Sequence, residues 1–75
     1  MDLKKKNRVQ ELKIDNSSTI NTAIKHMDRI NRKLLIVIDQ EQFQSLLSIG
    51  DIQRAIIKGI SLETPINNIL RKEIT

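Results

Sequence analysis

Leu46-Leu47-Ser48-Ile49-Gly50-Asp51-Ile52 joins two patterns at a hydroxyl residue. Before Ser48 the chain is a short apolar run. After it, Ile52, Ala55, Ile56 and Ile57 fall at helical spacing. A strand ending on Ser-x-x-Asp and turning directly into a helix has two uses. It can cap the helix, with Ser48 as N-cap and Asp51 in the first turn, favoured by the helix dipole. It can also hold a ribose and a phosphate, because backbone N–H groups at a helix start face an anion and a carboxylate accepts hydrogen bonds from vicinal hydroxyls. The spacing alone does not separate the two uses.

Working back from Ser48, Phe43 to Leu47 reads as a strand, with Phe43 and Ser45 on one face and Gln44 and Leu46 on the other. Asp39-Gln40-Glu41-Gln42 is a polar turn without a glycine, and Asp39 suits its start through its side-chain acceptor. Leu34-Leu35-Ile36-Val37-Ile38 is apolar without alternation, the pattern of a strand covered on both faces. So short a link makes the two strands antiparallel. Further back, Asp15-Asn16-Ser17-Ser18 is a cluster of turn and N-cap residues. It precedes a helix whose stripe is Ile20, Ala23, Ile24, Met27 and Ile30, closed by Asn31-Arg32-Lys33. Val9, Leu12 and Ile14 form a short extended or turn-like lead-in.

Forward of Asp51, the second helix runs to about Lys58. Gly59 stands at the left-handed C′ position, with Ile60 to make the accompanying apolar contact. Pro65 suits the first turn of a short helix to Leu70. The expected fold class is α+β, in the order β-α-β-β-α plus a tail. The tail echoes the beginning: Val9-x-x-Leu12-x-Ile14 is matched by Ile66-x-x-Ile69-Leu70 followed by Ile74.

Composition narrows the function. A chain of 75 residues is one small domain whose core needs help from a partner, a metal or disulfides. There is no cysteine and one histidine, His26, so disulfides, thiolate metal sites and imidazole clusters are excluded. His26 and Met27 read as a helix-edge residue and core packing. Arg54 is either a solvated helix residue or a phosphate contact, and Gly50 either eases the turn or admits a ligand closely. No nucleophile–base set and no carboxylate pair flanks a recognisable pocket, so a catalytic role is not expected. The longest apolar run is far short of a membrane span, and no secretory pattern follows Met1. The expected location is cytoplasmic. The net charge of +4 is concentrated at Lys4, Lys5, Lys6 and Arg8. Such a tract can contact nucleic acid, but with Phe43 the single aromatic there is no base-stacking platform.

From Ile14 to Ile69 the chain resembles one CBS repeat, the cystathionine-β-synthase type of regulatory domain. The resemblance is carried by Ser18-Thr19-Ile20 through Ala23-Ile24 and Met27, Leu35 to Asp39, Leu46 to Ile52, Arg54 to Gly59, and the closing Leu62-x-x-Pro65-Ile66 with Ile69-Leu70. With the basic tract read as an arm over residues 1–8, it implies a repeat over 9–64 and the start of a second repeat or a linker over 65–75. Gly50 to Arg54 with Lys58-Gly59 is similar to CBS pairs attached to sugar-phosphate nucleotidyltransferases or isomerases. The start of the repeat near Met1 favours the nucleotidyltransferase arrangement.

The resemblance further implies half of a two-repeat module, packed on a second repeat through its sheet, or on a second copy in a two-fold homodimer. The adenine nucleotide AMP, ADP or ATP is the implied ligand, and no resident cofactor is implied. Ser48 and Asp51 would supply the phosphate and ribose contacts, Ile49 and Gly50 would line the cleft, and Ile14, Asp15 and Asn16 would meet the base. Ser45 stands where the family carries glycine, placing a side chain near the cleft. The expected function is control of an attached catalytic domain by a bound nucleotide. The alternatives are a structural homodimerisation module without ligand and, more remotely, a small basic nucleic-acid-binding protein.

Overall fold

The computed structural model of the chain describes residues 10–70. The arm expected over 1–8 and the last five residues of the segment 65–75 lie outside the described residues. Residues 10–70 carry seven basic and seven acidic side chains, so the whole net charge of +4 belongs to 1–9 and 71–75.

Residues 10–12 are helical, where a lead-in without helix was expected. Five main elements follow: β1 (Lys13–Asp15), α1 (Ile20–Ile30), β2 (Leu34–Asp39), β3 (Gln42–Ser48) and α2 (Ile49–Ile57), then a 3₁₀ turn at Ile66–Asn68. The sheet order is β1-β2-β3, with β1 parallel to β2 and β3 antiparallel to it. The expected order is therefore observed.

Local chemistry sets the boundaries. The α1 cap is Thr19, whose hydroxyl accepts from the Thr22 N–H at 3.1 Å. Two further donors at this end are taken by the connector, Ile20 N–H by the Thr64 carbonyl and Asn21 N–H by that of Leu62, both at 2.9 Å. These bonds satisfy groups that a helix start leaves without intrahelical partners. At the end of α2, Gly59 has φ 81°, its N–H reaches the Ile56 carbonyl, and Ile60 N–H reaches that of Ala55. This is the Schellman geometry that the glycine predicts.

The β2–β3 turn is tighter than its sequence suggests. Asp39 pairs with Gln42, leaving a two-residue loop, Gln40-Glu41, with φ of 56° and 68°. Two consecutive positive φ values define the turn that Asn-Gly ordinarily fills. The register then slips, because Ile38 pairs with Phe43 and Val37 with Ser45, leaving Gln44 in a bulge. The bulge overturns the expected alternation. Phe43 and Leu46 share the outer face with Ile38 and Ile36, and Ser45 turns inward beside Leu47.

Ile14, Leu35, Val37 and Leu47 from the sheet meet Ile20, Ala23 and Met27 from α1, Ile52 and Ala55 from α2, and Ile66 and Leu70 from the final turn. Among the described residues the opposite sheet face has no layer over it. Leu34, Phe43 and Leu46 there are 41, 67 and 49 % exposed. Among the described residues β2 is covered on one face only, where cover on both was expected. Among the described residues no helix is long and apolar enough to cross a membrane.

Candidate functional site

The β3–α2 junction positions Ser48 and Asp51. Ser48 ends the strand in extended geometry and opens the helix as its N-cap. Asp51 N–H donates to Ser48 Oγ at 3.2 Å, and Asp51 Oδ2 accepts from Ser48 N–H and from Ser48 Oγ–H, each at 3.0 Å. This is a reciprocal capping box, worth about 1 kcal/mol. Asp51 Oδ1 accepts from Arg54 Nη2. Ile49 N–H donates to the Lys33 carbonyl at 2.9 Å, tying the helix start to the beginning of β2.

What remains for a visitor is specific. Ser48 Oγ keeps one acceptor position, and Arg54, a half-exposed side chain, keeps unused guanidinium donors. Gly50 presents the backbone of the first helical turn without a side chain over it. Its φ is not in the left-handed region, so it is not there to ease the turn. A Cβ at Gly50 would lie 3.6 Å from Ser48 Oγ and 3.8 Å from Arg54 Nη1, ordinary contact. Gly50→Ala is therefore expected to raise stability by about 0.5–1 kcal/mol, measured as a shift in the denaturant midpoint. Loss of stability instead would show that the junction has no room. Ile49 is half-buried and packs against the core.

Beside α2, a cavity of about 290 Å³ is lined on its polar side by Asp51, Arg54, Lys58 and Asn68 and on its apolar side by Ala55 and Ile69 among others.

Ile14, Asp15 and Asn16 lie apart from this junction. Ile14 pairs with Val37 while Ser48 pairs with Leu34, on the far side of β2. Three residues along the strand and two strand spacings across separate them by roughly 14 Å. The Ile14 side chain is buried in the core. Asp15 is exposed, and Ser17 donates to its Oδ2 from both hydroxyl and N–H. These bonds, the hydroxyl first, hold its carboxyl below the ordinary 3.8. A carboxyl lowered on folding contributes stability above its unfolded value, and that contribution disappears as pH falls through the folded value. Protection of the Ser17 amide from exchange is thus expected at pH 5 and lost in stronger acid; a flat profile would contradict it.

Asn16 belongs to a set that the sequence did not reveal. Its Nδ2 donates to Gln44 Oε1 at 2.9 Å, Gln44 Nε2 donates to Asn67 Oδ1 at 3.1 Å, and Asn67 N–H returns to the Asn16 carbonyl at 3.2 Å. Gln44 reaches this position because it is the bulge residue, and nothing in the alternation of β3 marks a bulge. Ser45 is buried, with its hydroxyl 3.4 Å from the Leu46 carbonyl. It points into the core rather than into a cleft. His26 Nδ1 accepts from Arg29 at 2.6 Å, so its Nε2 carries the proton that meets the Glu11 carbonyl. Among the described residues no group of three metal-ligating side chains gathers.

No protein-family model and no curated protein matches the sequence. Solved structures do match its fold. The CBS domain protein PAE2072 from Pyrobaculum aerophilum, complexed with AMP, superposes with a TM-score of 0.74 at 19% identity, over 85% of this chain and 51% of that one. The CBS-domain containing protein ATU1752 from Agrobacterium tumefaciens gives 0.77 at 13% identity, over 85% and 50%. A cystathionine beta-synthase domain protein fused to a Zn-ribbon-like domain gives 0.74 at 16%, over 81% and 90%. The chain spans about half the length of the first two. Its small α+β fold is that of a single CBS repeat.

Proposed function

We propose that this chain is one repeat of a paired regulatory module that senses an adenine nucleotide, AMP, ADP or ATP, and biases an attached catalytic domain. The chain itself is assigned no catalytic step. The observation that carries this reading is the apolar sheet face of Leu34, Ile36, Ile38, Phe43 and Leu46, bare among the described residues, on a fold shared with CBS-domain proteins about twice as long. A continuous apolar face on so small a body marks an interaction surface, and a second repeat or a two-fold copy fits it.

Nucleotide sensing rests on the β3–α2 junction. A phosphate would approach the uncovered backbone at Gly50 and the spare donors of Arg54. A ribose hydroxyl would take Asp51 Oδ1 in exchange for Arg54, whose half-exposed guanidinium returns to water when released. Ile49 would line the cleft, and the Ile14–Asn16 stretch would meet the base through Asp15 and Asn16. A nucleotide bound between two repeats favours the arrangement it fits best, and that preference is the regulatory signal. The sequence resemblance at Gly50 to Arg54 supports a sugar-phosphate enzyme, a nucleotidyltransferase or an isomerase, as the attached domain.

The test combines sedimentation with titration of the purified chain by AMP, ADP and ATP. A dimer that gives heat and a higher melting temperature with one of them supports the reading. A dimer silent at millimolar nucleotide supports the second reading, a structural homodimerisation module. That alternative is favoured by the mutual satisfaction of Ser48, Asp51 and Arg54. A monomer that ignores all three nucleotides would sink both.

A further inference from the structure

The Asn16–Gln44–Asn67 ring joins three segments that are distant in sequence: the exit of β1, the bulge of β3 and the turn that ends the described chain. Its position matters because of what else holds that turn. Up to Ile66 the connector is fixed independently. Thr19 bridges Pro65, Ile66 N–H donates to the Ser18 carbonyl at 2.7 Å, and the Ile66 side chain is wholly buried. Beyond Ile66, the backbone bonds of Asn68 and Ile69 are internal to the turn, to the carbonyls of Pro65 and Ile66. Among the described residues, the polar ties from this last turn to the rest of the body are the Asn67 side chain and the Asn67 N–H, and both belong to the ring.

We propose that this ring is a latch that holds the last described turn, Asn67–Leu70, to the β1 exit through Gln44. The coupling to a ligand rests on the functional reading above. Asn16 lies in the stretch assigned to the base, so a ligand that draws on its amide competes directly with Gln44 and loosens the final turn. The signal passes through two hydrogen bonds to a turn whose Leu70 packs in the core.

Amide exchange tests the latch without any ligand. Gln44→Leu keeps the bulge residue's bulk and removes both side-chain bonds. Exchange at Asn67, Asn68 and Ile69 is expected to quicken roughly tenfold, while the ladder amides of Leu35 and Leu47 keep their protection. Asn67→Ala, on the exposed side of the ring, is expected to reproduce the effect at Asn68 and Ile69 if the first variant folds poorly. Unchanged exchange at those amides in a folded variant overturns the latch, as does an equal loss across β2 and β3. By reciprocity, Gln44→Leu should also bind AMP more tightly than the parent. Equal affinity for AMP in both overturns the coupling. If the parent shows no AMP binding, the nucleotide reading fails, and the exchange data alone decide the latch.

Discussion

Ile66→Ala is expected to lower the free energy of unfolding by about 2–5 kcal/mol, the usual range for removing a buried isoleucine. Ile66 lies seven residues past the Schellman glycine, in a segment that a sequence reading assigns to a linker or to the opening of another unit. In the structure it is wholly buried and belongs to the same core as Ile20, Leu35 and Ile52. A single core of this size supplies roughly 3–5 kcal/mol, so the variant should be marginally folded or unfolded at room temperature. The control is Ile57→Ala, where the side chain is 82 % exposed and the change should stay within about 0.5 kcal/mol. Urea unfolding of the two variants decides the matter. A loss below about 1 kcal/mol at Ile66 would mean that the final turn is not part of the cooperative unit.

Replacing Gln40-Glu41 by Asn-Gly is expected to act in the opposite sense. Each of these residues holds a positive φ that costs a residue with a Cβ about 1 kcal/mol or more, and asparagine and glycine relieve most of it. The glycine gives back about 0.5–1 kcal/mol through the freedom it adds to the unfolded chain. The net gain should be about 1–2 kcal/mol, seen as a higher denaturant midpoint with an unchanged slope. A neutral or destabilising result would show that the two side chains contribute contacts worth as much as the strain.

These two sites also mark where a sequence reading succeeds and where it stops. Helical spacing in Ile20-Ala23-Ile24-Met27, the Ser48 cap and the Gly59 stop are local signals, and the elements built on them appear where the pattern puts them. The bulge at Gln44 is not local. It is set by pairing with β2 and by a turn whose residues, Gln40 and Glu41, do not advertise its type. One displaced residue changes the face of Ser45 and Leu46 and brings Gln44 to Asn16 and Asn67. Ser48 and Asp51 were legible as a pair because they are three apart on one helix turn. The separation of that pair from Ile14–Asn16, and the partnership of Arg54 with Asp51, depend on strand order and rotamers that spacing does not encode.

The connector that caps α1 with the carbonyls of Leu62 and Thr64 has a kinetic consequence. Those bonds, and the return of Asn67 to Asn16, join residues some forty to fifty positions apart, whereas β2 and β3 are joined by two residues. Long loop closures come late in folding and local pairings early. The hairpin should therefore form first, and α1 should gain its final cap last. During synthesis, the first strand and helix must wait for Leu62 to Asn67 to leave the ribosome before they are locked. A stalled chain that stops short of Pro65 should remain open to proteases, and the core-facing side of its sheet, Leu35, Val37 and Leu47, should be available to chaperones until the last turn arrives.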